Sequence, residues 1–140
     1  LQSNFMKIVL DANVIVAAFA SRGLCESIFE LCLSEHELIL CDDLLNEVTR
    51  NLQRKIKLPA TMIHSIKELL LEHSSMFSPV LLPQDVCRDA DDIRILGLAV
   101  ASSADCIVTG DKDLLILEKY KKIPILSPRV FSEIIHKKIK

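Results

Sequence analysis

Acidic residues fall at four stations along this chain, and two of them close apolar runs. Asp11 follows Met6-Lys7-Ile8-Val9-Leu10, and Asp111 follows Cys106-Ile107-Val108-Thr109-Gly110. Between them lie Glu47 and the dense cluster Asp89-Ala90-Asp91-Asp92. Ligands of an open parallel sheet bind outside the carboxyl ends of its strands, so acids at those ends face a common crevice. Gathered there they repel: at about 4 Å and an effective dielectric near 20, one pair costs roughly 4 kcal/mol. A cation is the simplest group that holds them together. Carboxylate donors without His or Cys favour Mg²⁺ or Mn²⁺ over zinc. One or two such ions orient a water, lower its pKa and stabilise charge on a phosphate.

Each station alone has an ordinary structural explanation. Asp11 suits a helix N-cap after a strand-to-helix turn. Glu47, about one turn into a helix, reads as solvated surface. Asp89 with Asp92 three positions on resembles a capping box, and acids in a first turn favour the helix dipole. Thr109-Gly110-Asp111-Lys112-Asp113 reads as a tight turn off a buried strand, with Gly110 permitting the bend. The order of the four is more specific than any one of them.

The elements that must position these acids alternate short apolar runs with helical periodicity, the signature of an α/β domain. Strands are expected at Lys7 to Leu10, Glu37 to Cys41, Ser78 to Leu82, Asp105 to Thr109 and Ile123 to Leu126. Pro79 and Pro83 bracket the third, which suits an edge position. A helix is expected from Ser21-Arg22-Gly23 to about Ser34, and another from Asp42 or Asp43 through Leu52. Pro59 or Thr61 opens a third, ending near Ser74-Ser75. Asp89 caps a helix from Ala90 to Ser102, a short one runs from Asp111 or Lys112 through Leu117, and Ser127-Pro128 starts the last.

The 140 residues suit one domain with a sizeable core, and the composition, half apolar and about a quarter charged, is globular. A net charge of −2 gives no global basic field for nucleic acid, so a polyanion would need a local patch or a metal. Candidate patches are Arg50, Arg54, Lys55 and Lys57, and a C-terminal group of Lys119, Lys121, Lys122, Lys137, Lys138 and Lys140. No apolar run approaches the roughly 20 residues of a membrane span. Five cysteines, an odd number without a C-x-x-C pair, suggest reduced thiols and a cytoplasmic setting. His36, His64, His73 and His136 are scattered and read as surface or partly buried. Residues 1–5 read as a tag scar or disordered start, leaving 6–140 as the domain, with no signal peptide expected before Met6.

Three motifs resemble the PIN-domain family. The first is strand-Asp-x-Asn, here Ile8-Val9-Leu10-Asp11-Ala12-Asn13. The second is the acid in Asp43-Leu44-Leu45-Asn46-Glu47-Val48. The third joins Arg88-Asp89-Ala90-Asp91-Asp92-Ile93 to Ala104-Asp105-Cys106-Ile107-Val108-Thr109-Gly110-Asp111-Lys112-Asp113-Leu114-Leu115. The likeness runs from Met6 to about Phe131. It implies a three-layer α/β/α fold with a parallel sheet of about five strands in the order 3-2-1-4-5, which sets Asp11 against Asp111. It further implies Asp11, Glu47, Asp92 and Asp111 as catalytic, metal-binding acids, with Asn13, Asp91, Thr109 and Asp113 in support. Asp92 is preferred to Asp91 for its distance to Ala104-Asp105.

The activity implied is Mg²⁺- or Mn²⁺-dependent hydrolysis of RNA, by the toxin of a toxin–antitoxin pair with a cognate antitoxin as partner. Ala90, Ile93 and Ser102-Ser103 depart from the family's habits and leave the acids intact. A rival enzyme reading makes Asp11 the nucleophile of an aspartyl-phosphate phosphatase, although Asn13 stands where such enzymes usually carry a second Asp. A rival without catalysis is an inactive PIN-like binding module. The segment Leu58 to Met76, with Leu69, Leu70, Leu71 and then Phe77, offers apolar surface enough for a homodimer or for the core.

Overall fold

A computed structural model describes residues 5–139, with side chains to residue 136. Of the expected N-terminal scar, residues 1–4 lie outside that range, as do the side chains of Lys137, Lys138 and Lys140. The first strand, β1 (Lys7–Leu10), is followed by α1 (Ala12–Ala20) and α2 (Leu24–Glu35), then β2 (Glu37–Leu40). Next come α3 (Asp42–Arg54), α4 (Ala60–Glu72) and β3 (Ser74–Met76). The chain then crosses through α5 (Ala90–Ser102) to β4 (Cys106–Val108) and the short α6 (Lys112–Leu115). A hairpin of β5 (Lys119–Tyr120) and β6 (Ile123–Leu126) leads into α7 (Pro128–Ile139).

The sheet order is β3-β2-β1-β4-β6-β5, parallel except for the β5–β6 pair. The expected order 3-2-1-4-5 is present, its fifth strand being β6, and β5 is an addition at the edge. That addition had no Asn-Gly or Asp-Gly signal. The turn is made by Lys121 and Lys122, both at positive φ (47° and 70°), where lysine is an uncommon choice.

Strands β1, β2 and β4 are buried almost throughout because helices cover both faces. Helix α1 packs against α2 and α3, and α3 against α4, while α5 lies across β1 and β2. Right-handed crossovers then set α5 on the opposite face from α1 to α4. Ile8, Val9, Leu10, Leu38, Ile39, Leu40 and Ile107 are fully buried and form the centre of the core.

One strand sits elsewhere than expected. Ser78 to Leu82 is not in the sheet; β3 is Ser74–Met76, paired with Leu38 to Leu40. Phe77 extends that ladder by one bond to the Leu40 carbonyl, 2.9 Å. Beyond it the chain leaves the sheet, and the Val80 N–H donates instead to the Gly97 carbonyl of α5 at 3.2 Å. A Cβ at Gly97 would collide with the Val80 carbonyl oxygen, so this close approach requires glycine. The two prolines remove the N–H groups a strand would have used. His36, expected at or near the surface, is buried, its Nδ1 accepting from the Met6 N–H at 3.1 Å.

Candidate metal centre and active site

The crevice is built where β1 and β4 run side by side, with Leu10 opposite Val108. Both strands end here in an aspartate that caps the next helix. Asp11 Oδ1 accepts from the Ala12 N–H at 2.7 Å, and Asp111 Oδ1 accepts from the Asp113 N–H at 2.8 Å. The ordinary capping explanation is therefore correct for these residues, and it leaves each with a second oxygen. Thr109, fully buried, ties the two loops together. Its hydroxyl donates to Asp11 Oδ2 at 2.7 Å and accepts from the Asp111 N–H at 3.0 Å.

Asp89 caps α5 as expected, accepting from the Asp91 N–H at 2.7 Å. The next turn separates the neighbours Asp91 and Asp92. Asp91 is exposed and paired with Arg94, whereas Asp92 is 5% exposed. One oxygen of Asp92 is buried without a hydrogen-bond partner. Carboxylate oxygens of Asp92, Asp111 and Asp113 lie within 4.8 Å of one another, a group able to hold a cation. A buried oxygen without a partner, on an acid grouped with two more carboxylates, fits a hard divalent ion.

The electrostatics of the acids agree with this crowding. Burial pushes the Asp92 carboxyl up to about 7, assisted by a hydrogen bond with Asp111 and by the charges of Asp111, Asp89 and Asp11. Burial also raises Asp11, against the hydrogen bonds from Thr109 and Ala12 that favour its ionised form. Glu47, half-buried on α3, is raised by burial and then by the charges of Asp11 and Asp91.

The structure thus brings Asp92, Asp111 and Asp113 closest together, with Asp11 joined to them through Thr109. Glu47 stands on the facing helix, outside the 4.8 Å group but near enough to feel Asp11. It shares a small concavity with Asp43, Asp91 and Arg94. Asn13 is exposed and accepts from the Lys55 ammonium at 3.2 Å. Of the basic patches, Arg50 and Arg54 line a separate hollow between α3 and α4. Two arginines beside the acids were not singled out in the sequence. Arg88 meets Asp113 at 3.1 Å, and Arg94 bridges α5 to Asp43 of α3 at 3.5 Å. The only hint was their position directly flanking the Asp89-Asp92 cluster.

A family model described as PIN domain matches residues 7–113, most of the chain and every acid above. The chain belongs to the PIN-domain family. PIN domains are generally nucleases, a hydrolase chemistry. No curated protein sequence matches this PIN domain. Among solved structures, it is similar to a chain of VapBC2 from Rickettsia felis, whose crystal structure is bound to a DNA fragment from their promoter. The TM-score is 0.60 at 14% identity, over 87% of this chain and 98% of the other. At that identity the likeness concerns the fold.

Proposed function

We propose that this PIN domain is a Mg²⁺- or Mn²⁺-dependent endoribonuclease and the toxin of a toxin–antitoxin pair. The observation that carries the reading is the buried, unpartnered oxygen of Asp92 against Asp111 and Asp113. Asp11, Asp92 and Asp111 would hold the cation, with Asp113 beside them and Glu47 completing the set from α3. When bound, such an ion supplies Lewis acidity toward a phosphate and acidifies the attacking water. The protein's own groups do the rest. Thr109 orients the Asp11 carboxylate through Oδ2 and fixes the Asp111 backbone through its N–H, holding both acids at the crevice. Glu47, with its raised carboxyl, is suited to accept the proton that the water loses. Attack in line at phosphorus leaves a 5′-phosphate and a 3′-hydroxyl.

Among the described residues no helix is long and apolar enough to cross a membrane. We assign the protein to the cytoplasm, where its RNA substrate is found. The VapBC2 likeness supports an antitoxin partner. On α4 and β3, Met62, Leu71 and Met76 are each at least 40% exposed, which supports a homodimer through that surface. The phosphatase alternative is disfavoured because Asn13 stands where such enzymes usually carry a second Asp, and its oxygen is held by the Lys55 ammonium.

The test is cleavage of single-stranded RNA by wild type and Asp92→Asn with and without Mn²⁺. The reading expects cleavage by wild type alone, abolished by EDTA. Equal rates in the two proteins, or activity that persists in EDTA, would sink it.

A further inference from the structure

Beside the acidic crevice lies a second hollow that the nuclease reading leaves unused. It is an open hollow of about 560 Å³, lined by Pro79, Val80, Leu81 and Ile93 together with Arg88, Arg94 and Asp43. Its size falls within the range of about 300–1,000 Å³ typical of small-ligand sites. The outer wall is fixed in place by the Val80–Gly97 hydrogen bond and by the close approach that Gly97 permits. That fixed wall holds Leu81 99% exposed and Val80 42% exposed, side by side. Burial within this chain does not explain such an arrangement.

The hollow opens onto the acids. It shares Asp43 and Arg94 with the concavity that contains Glu47. Through Arg88 it reaches Asp113, one of the three clustered carboxylates. A strand held at those carboxylates would run on past Arg88. Guanidinium forks match phosphate oxygens in pairs. Apolar side chains accept the faces of a sugar and an unstacked base. A duplex keeps its base faces covered, so a single strand fits best.

We propose that this hollow seats the nucleotide adjoining the scissile phosphate of a single-stranded nucleic acid. Arg88, whose side chain is largely exposed, takes a backbone phosphate, Arg94 stays paired with Asp91 and Asp43, and Leu81 and Val80 lie against sugar and base. The assignment rests on the nuclease reading, since that reading supplies the scissile phosphate. Arg88 and Leu81 are the residues to change, because the Arg88 side chain is 86% exposed and Leu81 almost wholly so. Neither supports the core, and a thermal melt verifies that each variant is folded.

The experiment titrates a fluorescein-labelled single-stranded RNA octanucleotide into wild type, Arg88→Ala, Arg88→Lys and Leu81→Glu. Anisotropy is read in EDTA, where cleavage is off, at several salt concentrations. Arg88→Ala is expected to weaken binding about tenfold and to lower the salt slope by about 0.7 for each phosphate it leaves unneutralised. Arg88→Lys restores the slope and only part of the affinity. Leu81→Glu is expected to weaken binding at least as much as Arg88→Ala. Wild-type affinity in both Arg88→Ala and Leu81→Glu overturns the proposal. If wild type cleaves RNA yet the variants bind normally, the hollow fails and the nuclease reading stands. If the variants bind weakly but no divalent ion supports cleavage, the nuclease reading fails and the hollow stands as a nucleic-acid seat. Absence of binding by wild type overturns it as well.

Discussion

Replacing Asp92 with asparagine is expected to stabilise the metal-free protein while removing its activity. Asparagine keeps the size and one acceptor oxygen of aspartate but cannot ionise. In the folded protein the Asp92 carboxyl is raised from 3.8 to about 7. Below about pH 4 the acid is protonated in folded and unfolded chains alike, and the substitution has little effect on stability. Between about 4 and 7 the folded chain holds a proton that the unfolded chain has lost, so stability falls as pH rises. Above 7 the carboxylate is ionised in both states and the full penalty is present. At roughly 1.4 kcal/mol per pH unit that penalty is a little over 4 kcal/mol. Water reaching the half-exposed Asp111 and Asp113 screens part of it, leaving about 2 kcal/mol. For a chain of this size that is about 7 °C in melting temperature. The assay is thermal unfolding of both proteins in EDTA from pH 4.5 to 8.5. Asp92→Asn should melt about 7 °C higher at pH 8 and within a degree or two of wild type at pH 4.5. A gap that does not change with pH, or an asparagine variant less stable at pH 8, would refute the reasoning.

Three further outcomes are expected. Saturating wild type with Mn²⁺ at about a hundred times its dissociation constant should add about 2.7 kcal/mol of stability, an increment that Asp92→Asn loses and that calorimetry reads directly. Thr109→Val keeps the shape of a fully buried side chain but strips the Asp11 carboxylate of a donor and the Asp111 N–H of an acceptor. It should destabilise the fold by about 1–3 kcal/mol in urea unfolding and reduce Mn²⁺ affinity with it; wild-type values for both would show that the hydroxyl positions nothing. Gly97→Ala forces α5 away from the Val80 carbonyl and should cost about 1–3 kcal/mol, measured by the same unfolding.

Much of this arrangement could be read from residue types. The apolar runs before Asp11 and Asp111 gave β1 and β4, and Ser127-Pro128 gave the start of α7. The third strand was misplaced because β-branched and apolar content at Val80-Leu81-Leu82 looks like a strand. The bond from Val80 to Gly97 is a tertiary contact that no local pattern announces. The same limit applies to the site. Asp91 and Asp92 are adjacent in sequence, and only the helical turn of α5 sends one to Arg94 in solvent and the other beneath the crevice. Asp113 joins Asp92 and Asp111 through the tight turn after Gly110, and Arg88 joins Asp113 across twenty-five positions.

The bond from Thr109 to Asp11 spans ninety-eight positions of the chain. Pairings of that range form late, because the intervening loop must close before they are rewarded. During synthesis Asp11 and Glu47 emerge well before Asp92 and Asp111. At about 5–20 residues per second the interval from Glu47 to Asp111 is roughly 3–13 s. Until Asp92 emerges the growing chain carries only half of the four acids, and throughout the interval it has no complete β4 turn to gather them. The proposed metal site is thus absent while the chain is being made, and it forms only when β4 docks beside β1.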